Sequence, residues 1–155
     1  MLTQKRLKEL LHYDPENGVF TWIGVRRGHA RGHVPRCYQR GYLVVVVDQK
    51  RHYGHRLAWL YVHGVWPEHI DHINRKRGDN RLTNLRTATK KQNRANLAAA
   101  NKLGVKGVRK TRSGKFEAKI NYDGKQRYLG TFTTVEEAAK VFREAHESVH
   151  GAFAL

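Results

Sequence analysis

A single cysteine, Cys37, stands among 155 residues, so no disulfide and no cysteine-built zinc site can form within the chain. Acidic residues are also in short supply. There are 13 Asp and Glu against 30 Lys and Arg, giving a net charge of +17 and a pI near 10.4. No apolar run approaches the ~20 residues of a membrane span. The charged, amphipathic segment 1–11 does not read as a signal peptide. These absences exclude a disulfide scaffold and a membrane-spanning protein, and we expect a soluble, cytoplasmic one. The surplus of positive charge opposes compaction and favours an anionic partner, nucleic acid above all. With 39% hydrophobic residues the chain can build modest cores, in one ordinary domain or two small ones.

The charge is unevenly spread. Residues 1–25 hold three basic and three acidic side chains, residues 26–96 hold 16 and 4, and residues 97–155 hold 11 and 6. The excess therefore centres on the stretch that contains Asp71-His72. Asn84 follows 13 residues after Asp71, and Asn93 follows 22 after it. An acid, an imidazole and two amides are the groups needed to cut a phosphodiester around one hard cation. A neutral imidazole can take the proton of the attacking water. A divalent ion held by oxygen stabilises charge on the phosphate and on the departing 3′ oxygen. A carboxylate and an amide carbonyl suit Mg²⁺, which keeps open positions for water and substrate. The imidazole also needs a partner for its other ring N–H. In a strand, Asp71 and His72 point to opposite faces, so metal and water would lie on either side of it.

The periodicity predicts a mixed α+β chain. A helix is expected over 3–12 with Thr3 as cap, then a turn at Asp14-Pro15-Glu16-Asn17-Gly18 and a strand over 19–22. Residues 24–41 read as a basic loop. A hairpin follows, with residues 42–47 as one strand and Asp48-Gln49 as its turn, and then a helix over 55–63 ended by Gly64. Residues 70–73 and 82–86 read as short strands, and Thr89 opens a helix running to about Ala100. A domain boundary is expected at 101–104. Beyond it come strands over 105–110, 116–122 and 125–132, then a helix opened by a capping box at Thr134 and Glu137. That sheet has one apolar face for the helix and one polar face left to bind something.

His55-Arg56-Leu57-Ala58-Trp59, Ile70-Asp71-His72-Ile73-Asn74, Asp79-Asn80-Arg81, Asn84-Leu85-Arg86 and Gln92-Asn93-Arg94-Ala95-Asn96 occur in that order. Together they resemble the HNH endonucleases of the phage and intron homing type, over roughly residues 40–97. The resemblance implies a ββα-metal fold. It makes His72 the general base, Asp71 and Asn93 the ligands of one Mg²⁺ or Mn²⁺ ion, and Asn84 the residue that orients His72. The last letter of the family name is here Asn93 rather than His, as in homing nickases. His55 reads either as a buried histidine docking its helix or as a direct participant. His69-x-x-His72 has metal-ligand spacing but no third ligand beside it.

Gly107-Val108-Arg109, Gly114-Lys115-Phe116, Ala118-Lys119-Ile120, Leu129-Gly130-Thr131-Phe132, Glu136-Glu137-Ala138-Ala139 and Gly151-x-x-Ala154 are similar to the AP2 DNA-binding domain. That resemblance implies a three-stranded sheet laid in the major groove. The contact positions carried over are Lys106, Arg109, Thr111, Ser113, Lys119, Asn121, Gln126 and Tyr128. Lys110, Arg112, Lys115 and Arg127 are expected phosphate contacts. Thr111, Ser113, Asn121, Gln126 and Tyr128 differ from the plant pattern, so the plant target sequence does not carry over.

The sequence therefore predicts an HNH nuclease domain over 1–100, with its metal-binding core at about 53–100, and an AP2-like domain over 104–155. The expected activity is homing-type hydrolysis of double-stranded DNA to 5′-phosphate and 3′-hydroxyl ends, by a phage-encoded monomer or weak dimer with no small-molecule substrate. The alternatives are a non-catalytic DNA-binding regulator and an RNA-directed protein.

Overall fold

Thr3 Oγ1 accepts a hydrogen bond from the Arg6 amide and opens helix α1, Gln4–Leu10, in a computed structural model that describes all residues except 26–29, 98, 100 and 154–155. Part of the basic loop, the far end of the helix expected to reach Ala100, and Ala154 of the last motif lie outside the described residues. The chain divides into two compact units, Met1–Lys90 and Lys91–Leu155. The division precedes the polar stretch 101–104 where the sequence suggested one.

In the first unit α1 stops sooner than the spacing of its leucines suggests. Leu11–Asp14 instead forms strand β1, antiparallel to β2, Val19–Trp22. Leu11 and Tyr13 alternate inward opposite Trp22 and Phe20, so the period of two prevails over the helical period there. The Asp14 carboxylate accepts bonds from the Glu16 and Asn17 amides and fixes the turn between them. Gly18, at φ +70°, lets this turn lie against the chain near Asn80; a Cβ there would sit 2.4 Å from the Arg81 nitrogen. Strand β3, Cys37–Gln39, emerges from the stretch expected to be loop. It pairs with β4, Tyr42–Val47, which turns at Asp48 and Gln49 into β5, Lys50–Tyr53. Both turn residues have positive φ, 47° and 63°, the geometry that matches the twist of a tight hairpin.

Helix α2, Gly54–His63, ends where Gly64 adopts the left-handed conformation and its amide reaches the Leu60 carbonyl. Leu57 and Leu60 of α2 join Leu7, Leu11, Tyr13, Phe20, Val45 and Val47 in one core. Strand β6, Ile70–His72, pairs antiparallel with β7, Leu85–Thr87. A 3-10 turn, Leu82–Asn84, stands where the second strand was expected to begin. Helix α3, Lys90–Ala95, is shorter than expected and starts at the division between the units.

The second unit is a three-stranded antiparallel sheet in the order β10-β9-β8, with β8 Val108–Lys110, β9 Phe116–Tyr122 and β10 Lys125–Phe132. β8 is shorter than the sequence suggests, and Asn101 Nδ2 donates to the Val105 and Val108 carbonyls at its start. Helix α4, Val135–His150, opens on the expected capping box between Thr134 and Glu137. Its Ala138 and Phe142 pack on Val108, Ala118 and Ile120. Gly107 makes that packing possible: at φ +72°, a Cβ would lie 2.0 Å from the Phe142 ring. Among the described residues no helix is long and apolar enough to cross a membrane.

Candidate functional site

The β6–β7 register sets Asp71 opposite Arg86 and His72 opposite Leu85. Partners across a ladder share a face, so the acid and the imidazole leave the strand on opposite sides, as alternation demands. Asp71 stays with Arg86. The guanidinium Nε and Nη2 both donate to Asp71 Oδ2, at 3.0 and 2.8 Å, and the carboxylate side chain is only 11% exposed.

His72 is buried on the other side, among rings. His55 meets it edge-on at 5.0 Å between centroids, and Tyr42 lies at 5.9 Å. Its Nε2 stands 3.4 Å from Asn80 Oδ1, while Asn80 Nδ2 donates to the Gly78 carbonyl at 3.3 Å. The Asn80 amide thus faces the Nε2 side of the ring. Asn80 is itself held firmly. It is 1% exposed, and its backbone carbonyl accepts from the Tyr13 hydroxyl at 2.7 Å. The N-terminal hairpin thus reaches the imidazole through one asparagine.

Burial draws the His72 pKa below its ordinary value, against the pull of Asn80, Asp71 and Asp79, so the ring is neutral at pH 7. His55 is more strongly affected. Burial, then repulsion from His72 and Arg56, lowers it to about 3. It is a neutral ring packed beside His72, stacked near Tyr53 at 5.7 Å and tilted against Tyr42 at 5.2 Å.

Asn84, expected beside the imidazole, has its amide on the backbone of the intervening loop instead. Oδ1 accepts from the Asn74 amide at 3.0 Å, and Nδ2 donates to the Asp79 carbonyl at 2.8 Å. Its position explains this. Asn84 ends the 3-10 turn, and its carbonyl accepts from the Ile73 amide at 2.9 Å, which leaves its side chain at the mouth of the loop. Asn80, further round, is the residue beside the ring. Asp79 supports the same loop: Arg81, and then Asn74, hold its carboxyl well below the usual carboxylate range. Asn80 and Arg86 stand inside the motif strings Asp79-Asn80-Arg81 and Asn84-Leu85-Arg86, with no role evident from sequence. Their signal was their place in those strings.

Asn93 is half-buried on α3, in the second unit, while Asp71 belongs to the first. No group of three or more His, Cys, Asp or Glu side chains that could hold a metal occurs among the described residues.

The residues expected to touch DNA in the second unit divide by face. Arg109 pairs with Glu117, Tyr128 with Lys119 and Gln126 with Asn121, all on the face away from α4. Lys110 and Arg127 pair with Phe116 and Ile120, whose side is the helix side, and Arg127 lies 5.4 Å over the Tyr122 ring. Thr111, Arg112, Ser113 and Lys115 belong to the turn between β8 and β9, where Thr111 Oγ1 and Ser113 Oγ are 2.9 Å apart. Lys106, expected as a DNA contact, has its ammonium donating to the Arg94 and Ala95 carbonyls at the end of α3.

Comparison with known proteins bears on the first of these regions. Residues 52–95 match the family model described as HNH endonuclease. An uncharacterised HNH endonuclease of Acanthamoeba polyphaga mimivirus is 31% identical over 103 residues, which is 64% of this chain and 54% of the viral protein. The chain therefore spans about half the length of that curated relative. No solved structure matches this chain. The segment that brings together Asp71, His72, Asn80, Asn84 and Arg86 accordingly lies within the stretch that is similar to the HNH endonucleases.

Proposed function

We propose that this protein is a metal-dependent endonuclease of the homing type, hydrolysing phosphodiester bonds of duplex DNA and held on its substrate by an AP2-like sheet. The observation that carries the reading is the buried, neutral His72, next to Asp71 in the chain but on the other face of the strand, within the segment that matches the HNH endonucleases. The His72 imidazole takes the proton of the attacking water while Asn80 holds the ring. Asn84 keeps the 74–79 loop closed, so that ring and strand hold their geometry. Asp71 and Asn93 are the candidate ligands. A carboxylate and an amide carbonyl are hard oxygen donors, of the kind that would hold one Mg²⁺ or Mn²⁺ ion. Such an ion, when bound, supplies charge stabilisation at the phosphate and at the leaving 3′ oxygen, which implies 5′-phosphate and 3′-hydroxyl ends.

The C-terminal module supports the choice of duplex DNA. It is a three-stranded antiparallel sheet with a helix on one face and an exposed, mainly polar and basic face opposite. Tethering the modules raises the local concentration of the nuclease at its target. The alternative, a non-catalytic DNA-binding regulator, draws on one observation: Arg86 already neutralises Asp71, leaving less charge for a cation.

Incubation of the purified chain with supercoiled plasmid and Mg²⁺ or Mn²⁺ separates the two. Nicked or linear product that disappears with EDTA is expected. His72→Ala should lower the rate by about 10²–10⁴ while duplex binding persists. Binding without any cleavage across both metals would favour the regulator.

A further inference from the structure

Glu117 is the single acidic residue in the three strands of the C-terminal sheet. It sits in the middle strand, on the face away from α4, directly between Arg109 of β8 and Thr131 of β10. Its carboxylate is divided between two cations. Arg109 donates to Oε2 through Nε, and the Lys119 ammonium lies 2.6 Å from Oε1. The acid side chain is 10% exposed, whereas the Arg109 side chain is 71% exposed. Lys119 and then Arg109 hold the carboxyl ionised, below its usual range.

The choice of atom matters. A guanidinium offers Nε–H on one flank and two terminal amino groups at its tip. Glu117 occupies the Nε flank, and among the described residues neither terminal amino group of Arg109 has an acceptor. That tip presents two N–H donors side by side, matched to a pair of acceptors such as O6 and N7 of guanine in the major groove. A lone arginine would reach a phosphate equally well. A carboxylate at its base opposes the approach of phosphate and fixes the fork's direction, and both effects favour a base edge.

We propose that Glu117 is a specificity-determining positioning residue, aiming Arg109 at the O6/N7 edge of one guanine in duplex DNA. The proposal rests on the reading of this sheet as a duplex-binding surface. It makes the Arg109–Glu117 pair the sequence reader of the face, with Lys119 completing the clamp on the acid.

The test is selection from a randomised DNA duplex by the full chain, in EDTA and at one fixed salt concentration. Wild type, Glu117→Gln and Arg109→Lys are compared, with thermal melts to show that all three are folded. Wild type should enrich sites with a fixed guanine at one position. Both variants should lose about tenfold of the discrimination at that same position while other positions keep theirs. Replacing that guanine by 7-deazaguanine should weaken wild-type binding and leave Glu117→Gln nearly unaffected. Retention of the guanine preference by Glu117→Gln, loss at a position different from that of Arg109→Lys, or a uniform loss of affinity would each overturn the role of Glu117 alone. A wild-type chain with no affinity for duplex DNA would overturn the reading of the sheet as well.

Discussion

At the residue scale, two histidines share a buried space, and one of them, His72, lies against the Asn80 amide. Asn80 Oδ1 lies beside His72 Nε2, while His55 is packed among aromatic rings. The low pKa of His55 has a consequence for stability. Its folded-state value, about 3, lies below the unfolded value of 6.5, so the folded protein binds fewer protons in between. Stability is then fully present above about pH 6.5 and is lost as the pH falls towards 3. At pH 5 this one group should cost roughly 2 kcal/mol, and His55→Phe or His55→Gln should flatten the acid side of a denaturation profile. An unchanged acid limb in both variants would contradict the assignment. Asn84→Ala removes two loop-closing bonds and should destabilise the first unit by about 1–3 kcal/mol, read by thermal melting. It should also lower cleavage through loop disorder while leaving the His72–Asn80 contact formed.

At the scale of elements, the deciding features are short polar clasps rather than long helices. The β6–β7 pair is only three residues deep on each side, and its loop depends on Asn84, Asp79 and Asn74. In the second unit Gly107 admits the Phe142 ring where any side chain would collide. Gly107→Ala meets both a positive φ and a blocked site, so it should destabilise that unit by more than about 1 kcal/mol, with a lower melting temperature in calorimetry. Thr134→Ala should cost about 1 kcal/mol by removing the cap of α4, a smaller effect on the same unit. A reversal of that order would show that cap, not close packing, limits the module.

At the scale of the whole molecule, net charge dominates. A chain of +17 that neutralises DNA phosphates releases counterions, so affinity should fall steeply with salt. Six or more phosphate contacts would mean a loss of about 10³ or more between 50 and 200 mM salt. A titration showing almost no salt dependence would argue against a phosphate-tracking interface.

Much of this protein was legible in the chain itself, because local rules govern those parts. The alternation in β9, the hairpin turn at Asp48-Gln49 and the capping box at Thr134 each depend on neighbours a few residues away. The ordered motifs around Asp71, His72 and Asn84 depend on spacing, which a sequence preserves. Tertiary structure alone decided the rest. Leu11–Asp14 became a strand because Val19–Trp22 offered it a ladder and a core, overriding the helical spacing of its leucines. Asn80, not Asn84, met the imidazole because the 3-10 turn directed the Asn84 amide into the loop while Tyr13 anchored Asn80 beside the ring. Glu117 came to bridge Arg109 and Lys119 because antiparallel register sets Arg109 opposite it and alternation leaves Lys119 on the same face. Composition and motif order settled what chemistry is on hand; which atoms face one another was settled by pairing and packing between residues far apart in the chain.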